Sequence, residues 1–272
     1  AVTTADTSIA AADFFAIQQL IEGLNTTSFG FGQAGSRNVT LSFWVKGTKT
    51  GIHCVSIRNS ATNRQYAAEY TIDSTNTWEY KTITIPVDTT GTWLYDTGMG
   101  LAVSFVLAAG TNYHITANTW TASTAFAAAT SNQVNALDNT SNIFKVALVQ
   151  LEAGSVATTF EPRSVGEELA LCQRYYWQKS TFVATVGAYR TATVLENCQV
   201  YFPVSMRAVP TCALPSLSGN IYVNGSSTPI TGGAAGGTGL NAVSINLNSA
   251  SKPVNAAAWA SAASPITASA EL

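Results

Sequence analysis

Side chains able to do chemistry are few in this chain, and they are scattered. There are two histidines, His53 and His114, and four cysteines, Cys54, Cys172, Cys198 and Cys212. General acid–base catalysis needs titratable groups gathered with shifted pKa values. His53 and Cys54 are neighbours in the strand-like run Gly51-Ile52-His53-Cys54-Val55-Ser56. Adjacent strand residues point to opposite faces, so the two make no dyad, and a lone strand histidine reads as structural. No C-x-x-C pair exists, which removes zinc-knuckle and thioredoxin readings. Reduced, mostly buried thiols are the favoured reading, in keeping with assembly in a reducing cytoplasm. Glycan cleavage would need two converging carboxylates. The candidates are Asp73, Glu79, Asp88, Asp96 and Asp138, and the four aspartates lie in turn-like segments where they ordinarily hydrogen-bond the turn. The glycine-rich run lacks the Lys-Ser/Thr and helix of a phosphate cradle. The expectation is no enzyme: no catalytic residue, no metal ligand set and no cofactor.

Aromatic residues offer a different chemistry. Sugars are held by stacking on aromatic rings with polar groups around the rim. The rings to inspect are Trp44, Trp78, Trp93, Tyr95, Tyr113 and Trp120. Trp93 and Tyr95 lie in a loop between Gly91 and Gly98, where an aromatic is a stronger binding hint than in a strand. With Trp44 and Trp120 they form the glycan-contact candidates. Packing is the competing role, since large aromatics dominate core energetics.

Composition narrows the partners. Charged residues are 10% of 272 residues, with a net charge of −2, against about 25% charged in ordinary soluble domains. The basic residues stand singly, among them Lys46, Arg58, Arg64, Lys145, Arg163, Arg174 and Arg207. A nucleic-acid surface needs a cationic footprint, and none is present. No apolar stretch reaches the ~20 residues that a bilayer-spanning helix requires, so membrane insertion is not expected. The start, Ala1-Val2-Thr3-Thr4, shows no signal peptide and no initiator Met; it fits either processing or the later part of a longer chain.

The elements that must position these residues read as strands. Val39, Leu41, Phe43 and Val45 alternate with Thr40, Ser42 and Trp44. Gly51–Arg58, Trp78–Val87 and Leu101–Leu107 are further strands, as is Phe144–Leu151, where Phe144, Val146, Leu148 and Gln150 are expected opposite Lys145, Ala147, Val149 and Leu151. Turn residues such as Asn59–Asn63 and Asp73–Asn76 separate them. Asp13–Gly23 fits a helix or a strand. Regular strand spacing argues for a β-sandwich or jelly roll. Ser164-Val165-Gly166-Glu167 reads as a capping box opening a helix to about Gln178, with Leu169, Cys172 and Tyr176 on one stripe. Beyond it, Phe182–Tyr189, Thr193–Pro203, Ile221–Val223 and Ala242–Leu247 are strand candidates. Thr231–Gly239 is expected as a flexible loop, Pro210 and Pro215 as edge or turn markers, and Asn255–Ala263 as strand or loop.

From Val146 the chain runs VALVQLEAGSVATTFEPRSVGEELALCQRYYWQ. This resembles bacteriophage tail-fibre and other virion proteins, in which a carbohydrate-binding-module-like jelly roll ends in QLE-GS-ATPFE-R and enters GEELALCQRYY. Upstream, LSFWVKG, TNTWEYKTITIPVDTTGTW and GLAVSFVLAAG are similar to the same jelly roll, and VYFPVSMRAVPT to the opening of a C-terminal β domain. The likeness covers roughly residues 13 to 215, and Thr159 stands where the family often has proline. It implies an all-β chain: a jelly-roll sandwich over 1–163 (leaving open a first strand before residue 1), a linking helix over 164–179, and a smaller β-sandwich over 180–272. It further implies a homotrimer, with Leu169, Cys172 and Tyr176 as the seam, packed with other virion proteins in a phage particle assembled in the host cytoplasm. Host surface glycans are the implied ligand. The resemblance leaves two alternatives: a capsid-anchored head fibre or decoration protein without receptor role, and a glycan-degrading tail spike. Similar jelly rolls sometimes carry a structural calcium, but no Asp-rich loop supports one here.

Overall fold

The structure is a computed structural model that describes residues 1–123, 125–180, 182–214, 218–223, 226–250, 257–262 and 265–272. Pro215 and positions 255, 256 and 263 of the alanine-rich stretch lie outside the described residues. The protein is all-β with one short α-helix. It divides into two compact units, Ala1–Glu161 and Pro162–Glu271.

The first unit is an antiparallel β-sandwich. Its strands are β1 (Phe14–Glu22), β2 (Val39–Gly47), β3 (Gly51–Asn59), β4 (Gln65–Ile72), β5 (Glu79–Ile85), β6 (Met99–Ala109) and β7 (Phe144–Ala153). One sheet has the order β1-β6-β3-β4 and the other β5-β2-β7. The alternating pattern of β2 does what it predicts: Val39, Leu41, Phe43 and Val45 are fully buried between the sheets. They meet Val55, Ile57, Tyr70, Leu101, Val103 and Phe105 from the facing sheet, with the Phe43 ring 5.0 Å from Phe105 and 5.2 Å from Tyr70. The ambiguous segment 13–23 is strand β1. Pairing along β6 settles what local periodicity leaves open.

Strand β7 departs from simple alternation. Phe144 and Val146 pack on the core, but so does Leu151. A β-bulge lies between the pairs Ser42↔Gln150 and Trp44↔Ala147, and Leu148 there has a φ of 49°. The extra residue shifts the parity, so Gln150 shares the outer face with Ala147 and Lys145 and does not follow Val146. The bulge lies on an edge strand, where twisting the edge discourages pairing with another chain. The opposite edge, β5, carries the inward-parity charges Glu79 and Lys81, which pair with each other at 2.8 Å.

In the second unit Ser164 accepts a hydrogen bond from the Glu167 amide at 3.2 Å, as the capping box predicts, and opens α1 (Val165–Gln173). The helix ends well short of Gln178. Residues Tyr176–Lys179 form β8, paired with the last strand, and Trp177 is buried 5.6 Å from the Phe202 ring. Burying that indole stabilises more than another turn of a short helix does. Tyr176 is therefore not on the helix, and the stripe Leu169, Cys172, Tyr176 is not a helical stripe.

The remaining strands are β9 (Phe182–Tyr189), β10 (Val194–Tyr201), β11 (Thr211–Ala213), β12 (Gly219–Val223), β13 (Ser226–Thr238), β14 (Ala242–Ser249), β15 (Ala257–Ala262) and β16 (Ile266–Ser269). The main sheet closes on itself as a six-stranded barrel, β10-β14-β13-β12-β15-β9, beside a three-stranded sheet β11-β16-β8. Leu195, Cys198, Ile221, Val243, Ile245 and Leu247 fill the core. The glycine-rich run Thr231–Gly239 is not a loop: through Thr238 it is the second half of β13, paired to β14 with two register shifts. Glycine serves here because a Cβ at Gly236 would come within 2.9 Å of the Ser244 hydroxyl oxygen. The four cysteines are free thiols; Cys54 and Cys198 are buried, Cys212 half-buried and Cys172 exposed.

Candidate functional site

The four aromatic candidates separate into two groups. Trp93 and Trp120 pack against the sandwich core, and Tyr95 is tied to the same cluster through its hydroxyl. The Trp93 ring lies 4.7 Å from Phe31 and 5.7 Å from Trp120, and Trp120 lies 5.2 Å from Tyr66. Their polar atoms are used internally. Trp93 Nε1 donates to the Thr90 carbonyl and Trp120 Nε1 to the Pro86 carbonyl, each at 2.9 Å, while the Tyr95 hydroxyl donates to the Phe31 carbonyl. The loop is held by a bidentate pair between Arg64 and the buried Asp88, at 2.6 and 3.0 Å. Gly91 has a φ of +81°, and a Cβ there would strike the Arg64 side chain at 2.2 Å.

Trp44 is different. Because Phe43 and Val45 face the core, Trp44 faces outward from the three-stranded sheet, 37% exposed. Directly across β5 stands Tyr80, 47% exposed, with ring centroids 5.6 Å apart. This outer face is built in cross-strand rows: Glu152–Thr40–Thr84, then Gln150–Ser42–Thr82, then Ala147–Trp44–Tyr80, then Lys145–Lys46. Sequence reasoning treated Tyr80 only as a strand residue. Pairing register, which joins positions 36 residues apart in the chain, is what makes the two rings one surface.

The QLE-GS-AT-FE motif acquires a physical role on the same face. Glu152 accepts from both the amide and the hydroxyl of Thr158 at 2.8 Å, and Gln150 donates to that hydroxyl at 3.0 Å and accepts from the Glu161 amide at 3.0 Å. Thr40 and Thr84 donate to the carbonyls of Gly154 and Ser155. The segment 154–161 is thus strapped across the first two rows, leaving the aromatic and lysine rows outside the strap. The Thr158 amide, followed by the hydroxyl and Gln150, holds the Glu152 carboxyl below its usual range against a modest opposing effect of burial.

The histidines, Cys54 and the candidate aspartates lie elsewhere. His53 is buried, stacked on Tyr70 at 5.8 Å, with Nε2 3.0 Å from the Lys49 carbonyl and Nδ1 without a hydrogen-bond partner. Cys54 points to the other face of β3, where its thiol meets the Thr130 hydroxyl at 3.6 Å. Burial lowers the pKa of His53 and raises that of Cys54. Glu69 and His114 line a common polar cleft of about 370 Å³, with Thr116, Thr130, Ser131 and Asn132. Glu69 accepts from the Thr130 hydroxyl and, at 3.0 Å, from the Asn132 amide; His114 Nε2 lies 3.1 Å from the Ala109 carbonyl. Asp138 pairs with Lys49, and Asp73 with Lys81 at 3.0 Å. Among the described residues no three His, Cys, Asp or Glu side chains gather to hold a metal, and no helix is long and apolar enough to cross a membrane.

Of the seam candidates, Leu169 is 54% exposed and Cys172 exposed, on a helix that contains no buried residue; Val165 on the same helix is 85% exposed. Tyr176 is exposed on β8, its hydroxyl donating to Gln178 at 3.0 Å. Compared with known proteins, the chain matches no family model, no curated protein and no solved structure.

Proposed function

We propose that this chain is a structural, non-enzymatic component of a bacteriophage particle, a tail-fibre or receptor-binding appendage that meets host surface glycans. The observation that carries the adhesive role is the exposed Trp44–Tyr80 pair on the outer face of β5-β2-β7, beside the strapped Gln150–Ser42–Thr82 row. Two adjacent rings on a rigid sheet offer a stacking surface, and sites on strands hold their geometry better than sites on loops. Trp93 and Trp120 serve as core packing in this reading, because their rings and ring nitrogens are already engaged, and the Tyr95 hydroxyl is taken up by the Phe31 carbonyl. A glycan array probed with the intact protein tests it: Trp44→Ala or Tyr80→Ala abolishes the signal and Trp93→Ala keeps it at unchanged fold. Loss confined to Trp93→Ala contradicts the assignment.

Assembly as a homotrimer beside other virion proteins is part of the same proposal. A nine-residue helix with no buried side chain is marginal in water, and a neighbouring copy would cover the exposed Val165 and Leu169.

One observation favours the glycan-degrading alternative: Glu69 and His114 share a cleft. Glycoside hydrolysis generally needs a second carboxylate across the bond, and Glu69 is the one carboxylate lining this cleft. The proposal predicts no release of reducing ends from host polysaccharide by the intact protein; release abolished by Glu69→Gln would establish the alternative.

A further inference from the structure

We infer that the outer-face platform selects an acidic saccharide, with Lys46 and Lys145 pairing to its anionic group while Trp44 and Tyr80 stack on its rings. This deepens the glycan reading above and rests on it. Lys46 and Lys145 are in direct cross-strand register and share the outward parity of Trp44, two residues before Lys46. Like charges directly opposite each other on one face weaken a sheet, so this pair is a local cost that the fold itself does not require. In this unit Lys49 is matched to Asp138, Arg64 to Asp88, and Lys81 to both Asp73 and Glu79, while Arg58 donates to the Asn59 carbonyl and lies over the Phe126 ring and Arg37 lies outside the strands. Lys46 and Lys145 belong to none of these pairs, in a chain with only 13 basic residues. The strap explains why they stand at the open end. Glu79, next to Tyr80 in sequence, has the inward parity and pairs with Lys81, while Glu152 and Glu161 lie in or beyond the strapped rows, and Glu152 is held by Thr158 and Gln150. The face therefore runs from a closed, carboxylate-bearing end through an aromatic row to an open cationic end. A saccharide with a ring carboxylate matches that order: apolar ring face on the indole and phenol, carboxylate at the ammonium groups. Two isolated cations are too few for a nucleic acid, which needs a continuous basic stripe.

The test titrates the intact protein with oligogalacturonate and oligomannuronate, each against its carboxyl-reduced, uncharged counterpart. The acidic form binds about fivefold tighter or more, as two partly exposed ion pairs allow, and the preference fades in about 0.5 M salt. Lys46→Gln/Lys145→Gln removes the preference and keeps binding of the reduced form; Lys46→Arg/Lys145→Arg restores it. Lys179→Gln, in the second unit, changes nothing. Equal binding of both forms, or a preference that survives the double glutamine variant or falls equally with Lys179→Gln, overturns the inference. If Trp44→Ala still abolishes binding of the reduced sugar in those cases, the glycan-binding role stands and only the acidic selectivity falls. Failure of every probe to bind, charged or reduced, overturns both.

Discussion

At the scale of residues, buried and paired titratable groups tie the stability of this protein to pH. His53 sits between Tyr70 and Phe144 in the sandwich interior, and burial pulls its pKa below the ordinary 6.5. The sign follows from linkage. Below about pH 6.5 the unfolded chain binds a proton that the folded chain refuses, so this histidine costs stability as pH falls toward its depressed native pKa. Replacing it with a residue that does not titrate, His53→Phe, should flatten the slope of stability between pH 6.5 and 5 in denaturant unfolding; an unchanged slope contradicts neutral burial. Glu79 acts in the acid range. Burial pushes its carboxyl upward, but the Lys81 ammonium and the amides of Ser74 and Asp73 outweigh it and hold it at about 2. Its contribution is present above its ordinary 4.5 and is lost as pH falls toward 2. The structural reading of His53 was available from sequence, because strand alternation alone separates it from Cys54. The cleft shared by Glu69 and His114 was not, because it joins a strand to a loop more than forty residues further on.

At the scale of elements, local pattern was informative wherever one face is buried and misleading wherever geometry comes from pairing. The alternation of β2 and the capping box at Ser164 were both legible, since each is a short-range consequence of side-chain type. The bulge in β7 was invisible: nothing in VALVQLE marks the extra residue that moves Gln150 to the outer face. The glycine-rich half of β13 read as a loop because glycine weakens isolated strands, whereas barrel closure supplies partners on β14 and tolerates its bulges. The helix was read too long because Tyr176 continues its stripe, while Trp177 gains more by burial in the neighbouring sheet. The loop of Trp93 is stiffened by Arg64 and Asp88, whose side chains are 15% and 3% exposed. Removing one partner of a buried ion pair costs about 3–5 kcal/mol. Asp88→Ala should therefore lower unfolding stability by roughly that amount without touching the Trp44–Tyr80 face. A loss below about 1 kcal/mol would class the pair with ordinary surface salt bridges.

For the whole molecule, the described residues form two β units and one short α-helix without a buried side chain. The barrel and the sandwich each enclose a core of their own, whereas α1 buries none of its side chains, and the proposed trimer would cover it. Leu169→Asp should turn a trimer into monomers in size-exclusion chromatography with light scattering, at unchanged circular dichroism; a persistent trimer would remove α1 from the seam and leave assembly to the β surfaces. Within the stretch that resembles phage fibres, roughly residues 13 to 215, the segment from Gln150 to Glu161 has a mechanical meaning here, the strap that Gln150 and Glu152 hold across the sheet.

In the proposed function the protein holds sugars on the outer sheet face and leaves them chemically intact. A structure of the protein in complex with its strongest glycan-array ligand tests that most directly. The account predicts an uncleaved sugar stacked over Trp44 and Tyr80. A sugar seated instead between Glu69 and His114, or found hydrolysed, would contradict it.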